Sequence, residues 1–273
     1  MRLAGTGALI ASLVLLLLQA CGRPPVPEGE DLPTVEEILA DFHQALGGEE
    51  ALAAIRSVRA AARCSGPDGP YTTEIRSTRD GRLLFHQIRE GEEGLEHFRA
   101  FVNGPYTWSE AVDTGEVEPQ PIRVRAMVRS HDFFAWALDF PFLLNGPRVH
   151  GRSEVDGEPY FELRLTDNFQ RPVRAYFHAE THLLAGLEMF NPLFPKELVT
   201  LRIVEWRRVD GVLLPSREIV TDGAGDWDLS YHEIVLNDVD ESLFEVPEEI
   251  LLAAQERQKV RSEALAREPP PAS

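Results

Sequence analysis

The sequence predicts an α+β protein: a large antiparallel, strongly curved β-sheet wrapped around helices. Three features point there. From Ser57 onward, polar and apolar residues alternate with a period of two through most of the chain. Asp-Gly pairs at 80–81, 156–157 and 210–211 have the composition of tight hairpins. Nearly all gaps between the candidate strands are short, and short connections join antiparallel neighbours. The composition suits a folded chain, with 43% hydrophobic and 26% charged residues in a length of 273.

The N-terminus reads as an address. Arg2 is followed by an apolar run over 8–18 that stops at Leu18-Gln19-Ala20-Cys21. A membrane-crossing helix needs about 20 apolar residues, so residues 1–20 read as a secretory signal. The end of the run resembles the lipobox of bacterial lipoproteins, in which a small residue precedes the cysteine that becomes the mature N-terminus. That resemblance implies a diacylglycerol thioether and an N-acyl chain on Cys21, and so a membrane partner. An ordinary signal peptide with a chance cysteine is the alternative. Gly22, rather than Asp, follows the cysteine, which by the same resemblance favours the outer membrane, facing the periplasm. Residues 21–33 form a Pro-rich tether whose last twelve residues reach roughly 37 Å at about 3.1 Å each.

Thr34 opens a helix, with Glu37 completing a capping box and Ile38, Leu39, Phe42, Ala45 and Leu46 on one face. Gly47-Gly48 ends it, and a short helix runs to Ile55. Strands are expected at 57–65, 71–79, 83–90, 95–102, 106–111, 148–155, 159–166, 173–178, 183–190, 198–209, 212–221 and 227–237. That is ten to twelve strands in one curved sheet. A helix over 121–139 interrupts them and leads into residues 133–144, the most apolar stretch of the mature chain. No strand lies between the two, so the insert is placed inside the concave face. A last helix runs from Glu248 to about Arg267, its far half facing solvent. Residues 34–247 are taken as one domain and 248–273 as a helix and tail.

A net charge of −18 argues against nucleic acid as a partner. Two cysteines exclude a disulfide framework and a multi-cysteine zinc module. Cys64 is expected in the core of a strand, a reactive thiol being the other reading. No G-x-S-x-G, G-x-G-x-x-G or P-loop occurs, so no catalytic residue and no cofactor is assigned. His178 and His182 have zinc-ligand spacing only on a helix, and their context is strand–turn–strand, so no metal site is assigned. His131 and Asp132 are adjacent, and neighbours on a helix do not face each other; the histidines are expected at the surface or rim. The tryptophans serve sheet and core packing, or a subset lines a cavity. Phe133, Phe134, Trp136, Phe140 and Phe142 are the candidate lining of an apolar ligand cavity. In the Pro-rich loop after Phe190, Leu193 and Phe194 either fold back on the core or protrude as a contact for lipid or a partner.

Four pieces in order resemble the LolA/LolB-like superfamily of periplasmic lipoprotein carriers and receptors. They are the helix ending Ala45-Leu46-Gly47-Gly48, the turn and strand Asn103-Gly104-Pro105-Tyr106-Thr107-Trp108, the hairpin Val209-Asp210-Gly211-Val212 with Pro215, and Asn237 followed by Leu243-Phe244-Glu245-Val246-Pro247. The resemblance implies an antiparallel half-barrel around helices that encloses a cavity for acyl chains. The expected role is a non-catalytic anchored lipoprotein that binds acyl chains or other lipoproteins, in lipid or lipoprotein trafficking. An envelope sensor or scaffold that binds a protein partner without lipid is the alternative; a hydrolase of unknown type is a third. Cys21→Ser should abolish incorporation of labelled fatty acid and move the chain from the membrane to the soluble fraction, as read by metabolic labelling and fractionation.

Overall fold

The computed structural model describes residues 32–92, 94–141 and 144–267. The signal, Cys21 and all of the tether before Leu32 lie outside the described residues, as does Phe142. The chain opens with α1 (Val35–Leu46) and α2 (Glu49–Ala53). The capping box is in place: the Glu37 amide donates to Thr34 Oγ1 at 3.2 Å, and the Thr34 amide donates to Glu37 Oε2 at 2.7 Å. Gly47 takes a φ of +147°, and a Cβ there would stand 3.0 Å from the Gly211 carbonyl. Glycine is what allows the end of α1 to rest on a hairpin turn.

Six strands follow: β1 (Ser57–Gly66), β2 (Gly69–Thr78), β3 (Leu83–Gly91), β4 (Gly94–Asn103), β5 (Tyr106–Glu110) and β6 (Val117–Pro119). Then come α3 (Ile122–Arg129) and a π-helical turn, Phe134–Leu138. Seven more strands complete the sheet: β7 (Asn145–Val155), β8 (Glu158–Thr166), β9 (Pro172–His178), β10 (Leu184–Phe190), β11 (Leu198–Val209), β12 (Val212–Thr221) and β13 (Asp226–Leu236). A 3₁₀ turn, Glu241–Phe244, and α4 (Glu248–Arg267) end the described chain.

All thirteen strands form one antiparallel sheet, ordered β6-β5-β4-β3-β2-β1-β13-β12-β11-β10-β9-β8-β7. It is two meanders joined where β1 pairs with β13. The α+β class read from the sequence therefore holds, with one strand more than expected. That strand, β6, is only three residues long and ends in proline, too short to show a period. Asp156-Gly157 and Asp210-Gly211 both have positive φ at the two turn positions, as type I′ hairpins require. Curvature follows from the contacts of α1, which touches both β12 and β7. These strands are five spacings apart, about 24 Å in a flat sheet. One helix, about 10–12 Å across, reaches both only if the sheet curls around it.

The helix expected over 121–139 is not continuous, and this is a correction. It stops at Arg129, where the Ser130 hydroxyl donates to the Met127 carbonyl at 2.6 Å. The chain restarts where Asp132 Oδ1 accepts from the Phe134 amide at 3.1 Å. Polar side chains bonding to local backbone divide the segment into two short pieces.

A second, smaller core lies on the outer face. There Leu84, Phe101 and Trp108 meet Phe244 and Ile250 of the C-terminal segment. Phe101 and Trp108 stack at 5.0 Å, and Asn103 Nδ2 donates to the Phe244 carbonyl at 2.9 Å. Beyond that first turn α4 turns outward, with Leu252 and Val260 exposed.

Phe42 is the hub of the inner core, its ring centroid 5.3 Å from Phe177 and 6.4 Å from both Phe140 and Trp206. Phe42→Ala should cost about 3–5 kcal/mol, because a buried ring leaves a cavity that its neighbours cannot fill. A fall in the urea midpoint at unchanged slope is the check.

Candidate functional site: the concave face of the sheet

Register fixes which side chains face inward, since residues paired across antiparallel strands share a face. Ile75, Ala60 and Ile234 lie on one inward rung, and Tyr71, Cys64, Leu229, Glu218 and Ile203 on another. The next rung toward the hairpin ends holds Leu187, Leu201, Val220 and Trp227. Trp227 lies over Gly66, where a Cβ would meet its ring at 2.1 Å. Glycine here opens a slot, and the indole reaches across it to within 6.1 Å of the Tyr71 ring. Leu201, Val220 and Trp227, together with Tyr71 of the neighbouring rung, are half-buried and form an apolar strip partly open to solvent.

The insert occupies the other part of the concavity. Phe133, Phe134 and Phe140 are 4%, 2% and 1% exposed. Phe140 packs edge-on to Phe177 at 5.5 Å and Phe133 edge-on to Tyr231 at 5.1 Å. Trp136 is half-buried and donates from Nε1 to the Ser130 carbonyl at 2.7 Å. These aromatics lie together on the concave side, in contact with the shell. Arg79 fastens them: its guanidinium donates to the Ile55 carbonyl at 2.8 Å, the Leu52 carbonyl at 2.5 Å and Asp139 Oδ1 at 2.6 Å. It also stands 5.2 Å over the Phe134 ring. One side chain thus joins the end of α2 to the far end of the insert.

The remaining sequence candidates are dispersed. Phe194 is 57% exposed on its loop, whereas Leu193 is half-buried. His178 Nε2 faces Glu158 Oε2 at 3.0 Å, while His182 Nδ1 faces Asp41 Oδ2 at 3.6 Å, so the two imidazoles serve different carboxylates. His131 is half-buried. Its ring stacks on Phe85 at 4.4 Å, and burial lowers its pKa to about 4. Asp132, 1% exposed, is pushed up to about 6 by burial, with Arg129 at 3.4 Å opposing. Cys64 is a buried core thiol, raised to about 12 by the same cause.

A cleft of about 830 Å³ lies across β1 and β11–β13, touched by Cys64, Trp206 and Tyr231 as well as by outward-facing residues. Its lining includes Arg63, Ser65, Arg217, Asp228 and Ser230, which alternate with the core-facing residues. Arg217 holds Asp228 through two bonds of 3.1 and 2.7 Å.

Glu218 was missed among 45 acidic residues. The signal was in its phase: counting by twos from Leu214 reaches Glu218 and Val220 on the inward face. Burial pushes its carboxyl up to about 7, and the Tyr231 hydroxyl, donating to Oε2 at 3.4 Å, offsets only part of this. An acid whose pKa is raised by folding stabilises the fold below its unfolded value. That contribution is lost as the pH rises through about 7. Glu218→Gln should therefore be more stable than the parent at pH 8, by on the order of 3 kcal/mol, and nearly equal to it at pH 4. Urea denaturation at both pH values checks the sign.

No protein-family model matches the chain, and no curated protein matches it. Among solved structures it is similar to a LolA superfamily protein from Nitrosomonas europaea, with a TM-score of 0.56 and 17% identity over 79% of this chain and 99% of that one. It is also similar to an outer membrane lipoprotein-sorting protein domain from Vibrio parahaemolyticus, with a TM-score of 0.52 and 10% identity over 77% and 95%. A third structure, from Desulfovibrio piger, gives 0.51 and 9% over 77% and 97%. One open antiparallel sheet, curled around an inner helix and an insert that joins its two edges, is in this chain the LolA-like fold.

Proposed function

We propose that the chain is a non-catalytic envelope lipoprotein, anchored through an acylated Cys21, that holds acyl chains against the concave face of its sheet. The chains are those of lipids or of other lipoproteins. The observation that carries this reading is the half-buried apolar strip of Leu201, Val220, Trp227 and Tyr71, beside the fully buried Leu187. The Vibrio neighbour, described as a lipoprotein-sorting domain of the outer membrane, supports the envelope setting.

Energetics favour the strip over the insert as the seat of a guest. Eight buried methylenes contribute about 6 kcal/mol. Uncovering Phe133, Phe134 and Phe140 would cost about 1.5–3 kcal/mol for each ring, which cancels the gain. A chain laid along the strip loses nothing from the core. A guest seated among the insert aromatics would need the Arg79 clamp to open.

Binding of a fluorescent fatty acid to the full chain tests this. Gly66→Val drives a branched side chain into the Trp227 ring and should weaken binding at least tenfold; Trp227→Ala should do the same by removing the wall. Absence of fatty-acid binding, together with no lipid on the purified protein by native mass spectrometry, would overturn the reading and favour a role on a protein partner.

A further inference from the structure

The inner face also carries a charge that the outer face would have neutralised. On the outside, Asp228 and Glu205 share Arg217 at 2.7 and 3.5 Å. On the inside, Glu218 forms no ion pair among the described residues, although it sits on a rung with Ile203, Leu229 and Cys64. Its one hydrogen-bond partner is the Tyr231 hydroxyl. A second acceptor stands unused nearby. Thr73, 3% exposed, pairs with Ala62, which on its other side pairs with Tyr231. The Thr73 hydroxyl oxygen, which can accept from a cationic head, has no hydrogen-bond partner among the described residues. Buried polar groups without partners are rare and call for an occupant.

Resting on the reading above, we propose that the strip ends in an anchoring site for a primary ammonium group, centred on Glu218 and bordered by Tyr231 and Thr73. The guest is an amphiphile whose apolar chain follows Val220, Leu201 and Leu187 and whose head is cationic. A carboxylate in apolar surroundings is costly, and a ligand that brings its own positive charge relieves that cost. The other groups facing the site do not supply this charge. Cys64, Tyr71 and Tyr231 all have raised pKa values and stay neutral at pH 8. Arg89 lies 5.7 Å over the Tyr71 ring, on a strand four spacings from β12, about 19 Å along the sheet. Glu218 as a residue is half-buried. A net charge of −18 draws cations toward the protein.

The test is calorimetric titration of the full chain, held in a neutral detergent, with octylammonium, octanol and octyl sulfate at pH 6 and pH 8. The ammonium group stays charged at both values. Octylammonium should bind at least tenfold tighter than octanol at pH 8, with octyl sulfate weakest. The preference should shrink at pH 6, as Glu218 takes up a proton, and vanish in Glu218→Gln. Glu218→Asp should keep the pH dependence with a smaller preference. Equal binding of octylammonium and octanol at pH 8, or a preference that survives in Glu218→Gln, overturns the ammonium site and leaves acyl-chain binding standing. If no octyl compound binds the parent chain, both fall.

Discussion

An open β-sheet leaves two edges, and here the chain runs directly from one edge to the other. β6 and β7 are consecutive in sequence yet lie at opposite ends of the strand order. The segment between them must cross the mouth of the curled sheet. That crossing decides the rest of the structure: it explains why the most apolar stretch of the domain sits there, and why the inner core is aromatic. His131 on Phe85 of β3, Phe133 on Tyr231 of β13 and Phe140 on Phe177 of β9 mark its route across the sheet. The edges themselves are poor templates for another strand. β6 has three residues and ends in Pro119, and β7 opens on Asn-Gly-Pro.

The same crossing divides the concave face into a closed part and a half-open part. Where the insert lies, rings close on rings, and Arg79 locks the arrangement to the carbonyls that end α2. One guanidinium thus bonds the Leu52 and Ile55 carbonyls and holds Asp139 at once. Where the insert does not reach, toward the hairpins at 67–68 and 222–225, the inward side chains remain half-open.

Much of the scaffold was legible because it is local. Thr34 and Glu37 announce α1, paired Asp-Gly residues announce two type I′ turns, and the alternation around Cys64 places it inside. The elements that were not legible depend on distant partners. Ser130 and Asp132 break the insert helix through hydrogen bonds that no period reveals. Trp108 looks like any strand tryptophan, and only the return of Phe244 makes its outward face a core. At the site, Gly66 gave no sign that it clears room for Trp227, because the two are far apart in sequence. The inward phase of Glu218 could be counted, but its lack of a cation could not.

Asn237 shows how the two meanders are secured. At a φ of +58°, its side chain accepts from the Arg56 amide at 2.7 Å and donates to the Ala54 carbonyl at 3.2 Å. It therefore bonds the exit of β13 to the entry of β1. These partners are separated by some 180 residues, and β1 cannot be flanked on both sides until β13 exists. During synthesis from the N-terminus, the first meander must wait with a bare edge for the final strand to emerge. Such long-range closure makes folding slow, and it makes truncation near the C-terminus a failure of assembly rather than the loss of an ornament.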